Sequence, residues 1–248
     1  MYYSNRHHTS NTIKSINFEI VMNKAIEIFE GERVSNYDKF VIDYFPSYSF
    51  VMQNCAVLIS EYLNTKLKPK ILVVGCGTGN EVKQLLDYNG DWMIDACDPS
   101  EEMINKAKSK LSNYANLNLA HSGVEELDKS NLYDAATLFL VLHFISDDGA
   151  KLDLLREIGS RLEVGAKFLL FDICGTKNEI EENFDILRQL FPKKWCSEEI
   201  ELRRERMLKT LNTIDENRTL ELLELAGFVK PVKWHQSFLV RSWILTKA

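Results

Sequence analysis

Proline and glycine are sparse, 5 and 11 in 248 residues, which excludes collagen-like and low-complexity chains. No apolar run approaches the ~18 residues of a membrane-spanning helix. The start, MYYSNRHHTSN, is polar and lacks the apolar stretch of a secretory signal. A soluble protein of the cytoplasm is expected. The cysteines (Cys55, Cys76, Cys97, Cys174, Cys196) are odd in number and 21 to 77 residues apart, with no C-x-x-C pair and no Cys/His cluster of zinc spacing. That pattern argues against a disulfide framework and a metal site. Positive charge is also short: 30 Lys+Arg against 36 Asp+Glu give a net charge of −6. A broad nucleic-acid footprint is therefore not expected, although a local basic patch is allowed. The chain has 45% hydrophobic and 27% charged residues, and at this length roughly 70 to 75% of the unfolded surface is buried on folding. One domain with appended helices needs no disulfides to hold its core.

Residues 1 to 16 show no apolar periodicity and read as a flexible arm, with His7 and His8 as solvated tail. Apolar residues at helical spacing from Phe18 to Phe29, and again from Tyr48 to Leu63 after Phe45-Pro46-Ser47, predict a helical cap over 17–66. The aromatic stretch between them, Val34 to Tyr48, reads as a loop. Lys70 to Val74 is a continuous apolar run of the kind buried on both faces of a parallel sheet. Strand patterns then alternate with helical ones: strands at 92–97, 117–120, 135–140 and 167–171, helices at 81–88, 100–111 and 149–162. This order predicts an α/β fold with a doubly wound, Rossmann-like sheet. Residues 177–212 are charged and helical in period, an insertion before the last two strands. Asn217 to Leu225 predicts a helix closed by Gly227. Val229 to His235 and Phe238 to Thr246 predict an antiparallel hairpin in which Pro231 needs an unpaired position.

The most informative segment is Ile71-Leu-Val-Val-Gly75-Cys-Gly77-Thr-Gly79-Asn-Glu81. Three alternating glycines after a buried strand let the backbone turn tightly and approach a ligand. Asp98 ends the next strand, where a carboxylate accepts from the two hydroxyls of a ribose. Asn80 replaces the last glycine of the dinucleotide fingerprint. Glu81 would place negative charge where a pyrophosphate binds, which disfavours NAD. No Gly-Lys-Ser/Thr ends the loop, so a P-loop is excluded.

Val73-Val-Gly-Cys-Gly-Thr-Gly-Asn80 followed by Asp98-Pro-Ser-Glu-Glu-Met103 resembles the first two motifs of the class I S-adenosylmethionine-dependent methyltransferases. Tyr133-Asp-Ala-Ala-Thr137 with Val141-Leu-His-Phe144, Arg161 to Ala166, and Glu221 to Phe228 are similar to later pieces of that family in order and spacing. The resemblance covers residues 17 to 248 and implies a seven-stranded sheet with an antiparallel last strand. It places S-adenosyl-L-methionine in a cofactor-binding core over 70–174, against Gly75, Cys76, Gly77, Thr78 and Gly79, with Asp98 on the ribose and Pro99 and Met103 beside it. The stretch after the third strand implies adenine contacts from Ser122, Gly123, Val124 or Glu125, with Gly123 where an acid commonly sits; Phe139 and Leu140 complete the wall. Tyr37, in a segment that folds over the cofactor in small-molecule members, is expected near the sulfonium.

A sulfonium methyl is already activated, so such an enzyme mainly holds a nucleophile in line; a base is needed only for a protonated acceptor. His143, just past the fourth strand, is the candidate base or orienting donor, against a structural histidine that caps the loop. Asp172, ending the fifth strand, is either a substrate contact or a loop-capping carboxylate. His121 reads as structural. Tyr44, Tyr48 and Arg206 are candidate substrate contacts. Residues 193–209, KKWCSEEIELRRERMLK, mix basic residues with four glutamates, so an amphipathic helix is favoured over a nucleic-acid patch. Within 177–212 it would form a lid. A small-molecule acceptor is expected, and a homodimer is possible.

The flanking segments, around Tyr37 to Tyr48 and from Trp234 to Lys247, are also similar to carboxy-S-adenosylmethionine synthases, which act in tRNA wobble-uridine modification. That resemblance implies an arginine of the insertion, among Arg203, Arg204 and Arg206, on an extra carboxylate of the cofactor. A third reading is a cofactor-binding protein without catalysis.

Overall fold

The computed structural model describes residues 32–248; the expected arm with His7 and His8, and the helix from Phe18 to Phe29, lie outside the described residues. Seven strands form one sheet: β1 (Lys70–Val74), β2 (Met93–Asp98), β3 (Leu117–His121), β4 (Tyr133–Phe139), β5 (Leu162–Ile173), β6 (Phe228–Ser237) and β7 (Val240–Lys247). Their spatial order is β3-β2-β1-β4-β5-β7-β6. The first five are parallel to one another, and β7 enters antiparallel between β5 and β6. The doubly wound sheet with a reversed final strand is therefore as expected. β5 begins earlier than the sequence indicates, because Leu162 already pairs with Tyr133 across a bulge before Ala135 meets Lys167. Pro231 falls in the irregular stretch between Val229 and Val232, where its missing N–H costs no ladder bond.

The described helices are α1 (Glu32–Tyr44), α2 (Tyr48–Leu63), α3 (Asn80–Tyr88), α4 (Glu101–Lys110), α5 (Ala150–Gly159), α6 (Lys177–Leu187), α7 (Ser197–Lys209) and α8 (Glu216–Leu225). The stretch from Val34 is thus helical up to Tyr44, not a loop. Val34, Val41 and Tyr44 fall on its buried side, with Tyr37 packed against the same core. This i, i+3, i+7, i+10 stripe drives the helix, and Pro46 stops it. Local signals set other helix starts: the Ser100 hydroxyl accepts from Met103 N, and Asp215 from Arg218 N. Thr176 and Glu179 form a capping box at α6.

Alternation along the strands divides the core into two layers. Ile71 and Val73 of β1 pack with α2, α3 and α6, while Leu72 and Val74 pack with α5 and α8. Each such fully buried aliphatic side chain contributes about 1.5–3 kcal/mol. The strand order reverses between β1 and β4, so the loops after these two strands diverge at the sheet's carboxyl edge and open a crevice.

Candidate active site

Two cavities adjoin in that crevice. The smaller, about 70 Å³, lies between the loop after β1, the end of β2 and the turn after β3. The larger, about 530 Å³, lies beneath α1 and α7. Tyr37, Leu140 and Phe144 border both. Leu140 does so with a left-handed backbone, φ 56°, just past β4, where its N–H donates to Phe171 O at 2.7 Å.

The loop after β1 turns back so that Gly75 N and Cys76 N both donate to Cys97 O, at 2.9 and 3.0 Å. Gly75 has φ 69°, and a Cβ there would lie 2.3 Å from Val141 Cγ2. No other residue allows the loops after β1 and β4 this approach. Asp98 is 8% exposed and accepts from Gly77 N at 2.8 Å and Ser100 N at 2.9 Å. Burial nevertheless pushes its carboxyl up to about 6, against the pull of those two N–H groups. Opposite stand Ser122 and Glu125. The Ser122 hydroxyl and Glu125 Oε2 are buried without a hydrogen-bond partner among the described residues. A Cβ on Gly123 would meet the Glu125 carboxyl at 2.3–2.6 Å, so the glycine makes room for Glu125 to fold back. Pro99, Met103, Val124 and Phe139 supply the apolar walls.

Three residues expected at the cofactor do not line the smaller cavity. Cys76 is packed into the core beneath the loop. Thr78 faces α1, donating to Asp38 Oδ1 at 2.5 Å. Gly79 is a packing position, where a Cβ would lie 2.6 Å from Leu111 Cδ1. Glu81 is also turned into the core, 5% exposed beside Thr137, and burial pushes its carboxyl up to about 8. It does not border the cleft, so the argument against NAD from its charge lapses.

In the larger cavity His143 sits on the turn Leu142–Phe144. Its Nδ1 lies 2.6 Å from Asp172 Oδ1. Asp172 also accepts from Val141 N and Leu142 N at 3.0 and 2.6 Å, and from Ile173 N at 2.6 Å. Its oxygens are thus committed, and it borders neither large cavity nor cleft. Through these bonds Asp172 caps the loop and engages Nδ1 of His143, which leaves Nε2 as the ring's other nitrogen. Tyr48 borders neither cavity either; its hydroxyl lies 3.3 Å from Asn80 Nδ2. His121 is at the rim of the sheet with Nε2 3.0 Å from Pro99 O, in the structural role expected.

Tyr44, Arg206, Lys194 and Arg203 border the larger cavity. Arg203 lies over the rings of Trp195 and Phe40, 4.3 and 5.1 Å from their centroids, and has no carboxylate within ion-pair distance among the described residues. Arg204, one position on, points away into Glu181, Asp185 and Glu201. Asp38 was not singled out in the sequence. It accepts from Thr78, from Asn80 at 2.9 Å and from Lys110 at 2.7 Å, tying α1 to the glycine loop and α4. The helical stripe of α1 was the signal that would have brought it into view.

A strand, a glycine loop, a buried acid closing the next strand and a reversed seventh strand make up the fold of the class I methyltransferases. Residues 72–168 match the family described as "Methyltransferase domain". The chain is 28% identical over 211 residues to a carboxy-S-adenosyl-L-methionine synthase of Campylobacter fetus, covering 81% of this chain and 86% of that protein. It is 29% identical over 138 residues to a malonyl-[acyl-carrier protein] O-methyltransferase of Ilyobacter polytropus, covering 55% and 50%. Among solved structures, the plantazolicin methyltransferase BpumL, in complex with a pentazolic desmethylPZN analog and SAH, superposes with a TM-score of 0.66 at 15% identity over 95% of this chain and 99% of that one. Magnesium protoporphyrin IX methyltransferase from Synechocystis, with bound SAH, gives 0.62 at 14% identity over 92% and 100%. No helix among the described residues is long and apolar enough to cross a membrane.

Proposed function

We propose that the protein transfers the methyl group of S-adenosylmethionine to a small, anionic acceptor. The observation that carries the reading is the adjoining pair of cavities, one with Asp98 on its wall and the other with His143, which Asp172 holds from behind. The cleft fits the cofactor: Asp98 is a desolvated acceptor for ribose hydroxyls, and the orphaned Ser122 Oγ and Glu125 Oε2 match the polar edge of adenine. Glu125 then replaces the acid missing at Gly123. When bound, the cofactor supplies an electrophilic methyl.

The protein's own work is to hold the acceptor in line behind that methyl, worth ~7 to 11 kcal/mol through proximity. His143 Nε2 takes the proton from a hydroxyl or amine acceptor, and Asp172 steadies the imidazolium. Tyr37, on the border of both cavities, excludes water from the transfer path. Tyr44 holds the acceptor's body, and Arg203 and Arg206, both on the cavity wall, hold its anionic group, with residues 177–212 as the lid. A cytoplasmic small-molecule enzyme is the setting this favours. Incubation with methyl-labelled cofactor and a metabolite extract should yield labelled product and S-adenosylhomocysteine; neither appearing, with cofactor bound, would sink the reading in favour of binding without catalysis.

A second reading is favoured by Arg203 and by similarity along 86% of the Campylobacter synthase: the anionic group belongs to a carboxylated cofactor. Mass spectrometry of the copurifying ligand separates the two, since that cofactor carries the extra mass of a carboxylate.

A further inference from the structure

Lys151, on α5, has no solvent exposure. Its ammonium donates to Leu142 O at 2.6 Å, Ile145 O at 2.8 Å and Asn212 O at 2.8 Å. An ammonium has three N–H donors, and all three are used. The first two acceptors bracket the turn that carries His143; the third belongs to the segment leaving α7. Asn212 returns the contact, its N–H donating to His143 O at 2.8 Å and its Nδ2 to Phe144 O at 3.3 Å. Leu211, beside it, borders the larger cavity.

We propose that Lys151 is a positioning residue for methyl transfer: it joins the exit of the lid to the His143 turn, so that an acceptor held under the lid sets the histidine's place. The proposal rests on the reading of His143 as the group that faces the acceptor. A buried charge is costly, and an apolar side chain of similar length would fill the same space. It would strip the ammonium from all three carbonyls, leaving Leu142 O with the Ile145 N–H alone, and would give no direction. The ammonium gathers carbonyls from two separate segments onto one nitrogen, which fixes their relative position.

The joint has a titratable element. Burial pulls Lys151 down to about 8, although Asp172 from β5 and Asp147 and Asp148 from the loop before α5 favour its charged form. Asp147 is itself paired with Arg218 of α8, and His143 and Cys174 face the same small space beside Lys151. A neutral amine keeps two N–H groups and turns a lone pair toward the third carbonyl. One of the three bonds is therefore lost as pH rises through about 8.

Hydrogen exchange tests this on the complex with S-adenosylhomocysteine, without knowledge of the acceptor. In Lys151→Met, amides in 141–146 and 210–214 should exchange faster together, roughly tenfold or more, while those of 75–80 stay unchanged. The wild type should show the same joint loosening above pH ~8 after correction for intrinsic exchange. Lys151→Arg, whose charge persists to high pH, should restore the joint protection and remove the pH step. In 15N-histidine spectra, the His143 ring signal should move in Lys151→Met and with the same pH step in the wild type, while that of His121 does not. Loosening of one segment alone, or general loosening with an unmoved His143 signal, would overturn the proposal. Failure of the wild type to bind S-adenosylhomocysteine would instead overturn the methyltransferase reading.

Discussion

Lys110 Nζ lies 2.7 Å from Asp38 Oδ2, an ion pair that fastens the helix over the larger cavity to the helix following β2. The pair is partly exposed, at 24% and 46% for the two side chains, so its direct share of stability is small, up to about 1 kcal/mol. Its role is placement. Asp38→Ala also strips partners from Thr78 and Asn80. The expected outcome is a melting temperature only slightly lower, with affinity for S-adenosylhomocysteine reduced about tenfold by calorimetry as α1 and Tyr37 lose their anchor. An unchanged affinity would show that α1 does not bear on the cofactor.

Asp98 predicts both a mutational and a pH effect. Asp98→Ala removes charge-assisted contacts of about 1.5–3 kcal/mol, so affinity for the cofactor should fall roughly tenfold to a hundredfold. In the wild type the carboxyl is raised to about 6. Affinity should therefore decline as pH falls through about 6, where the acceptor becomes protonated. Calorimetry at pH 5, 6 and 7.5 measures this, and a flat profile would remove Asp98 from the ribose.

Glu81 sets a slope of stability with pH. Its carboxyl rises from 4.5 unfolded to about 8 folded. Below 4.5 both states hold the proton and the group is neutral to stability. Between 4.5 and 8 the unfolded chain releases it and the folded chain does not, at about 1.4 kcal/mol per pH unit. Stability should fall across this window, and Glu81→Gln should flatten that slope and stabilise the protein at pH 7.5. Denaturant unfolding of both proteins at pH 5 and 7.5 is the measurement.

Asp172→Asn keeps the shape but offers one oxygen where the carboxylate serves three backbone N–H groups and His143. A loss of roughly 1–3 kcal/mol is expected, seen in urea unfolding, with cofactor affinity unchanged because Asp172 does not border the cleft.

The parallel core was legible because its signals are local: a strand buried on both faces, a glycine turn, an acid at the next strand's end. Even Pro231 could be assigned an unpaired place. The acceptor side was less so. Val34 to Tyr44 reads as a loop when its aromatics are counted and as a helix when their spacing is, and only the second view makes Asp38 and Tyr37 neighbours of the glycine loop. Among the insertion's arginines, sequence gives no means of knowing that Arg203 turns to the cavity and Arg204 to Glu181. Helix phase and long-range ion pairs decide that. Thr78 and Gly79 illustrate the converse: they belong to the motif by spacing, yet they serve packing between α1, α4 and the loop.

Leu140 carries a further consequence. A left-handed backbone costs a leucine on the order of 1–2 kcal/mol and a glycine almost nothing. Leu140 is buried in the core, however, so Leu140→Gly would relieve that strain at the larger packing cost of a lost leucine, about 2–5 kcal/mol, and would delete one of the three side chains that the two cavities share. The strained turn is therefore kept in place by what its side chain packs against, and a change made only to relax the backbone there should lower the melting temperature as well as open the wall between the cavities.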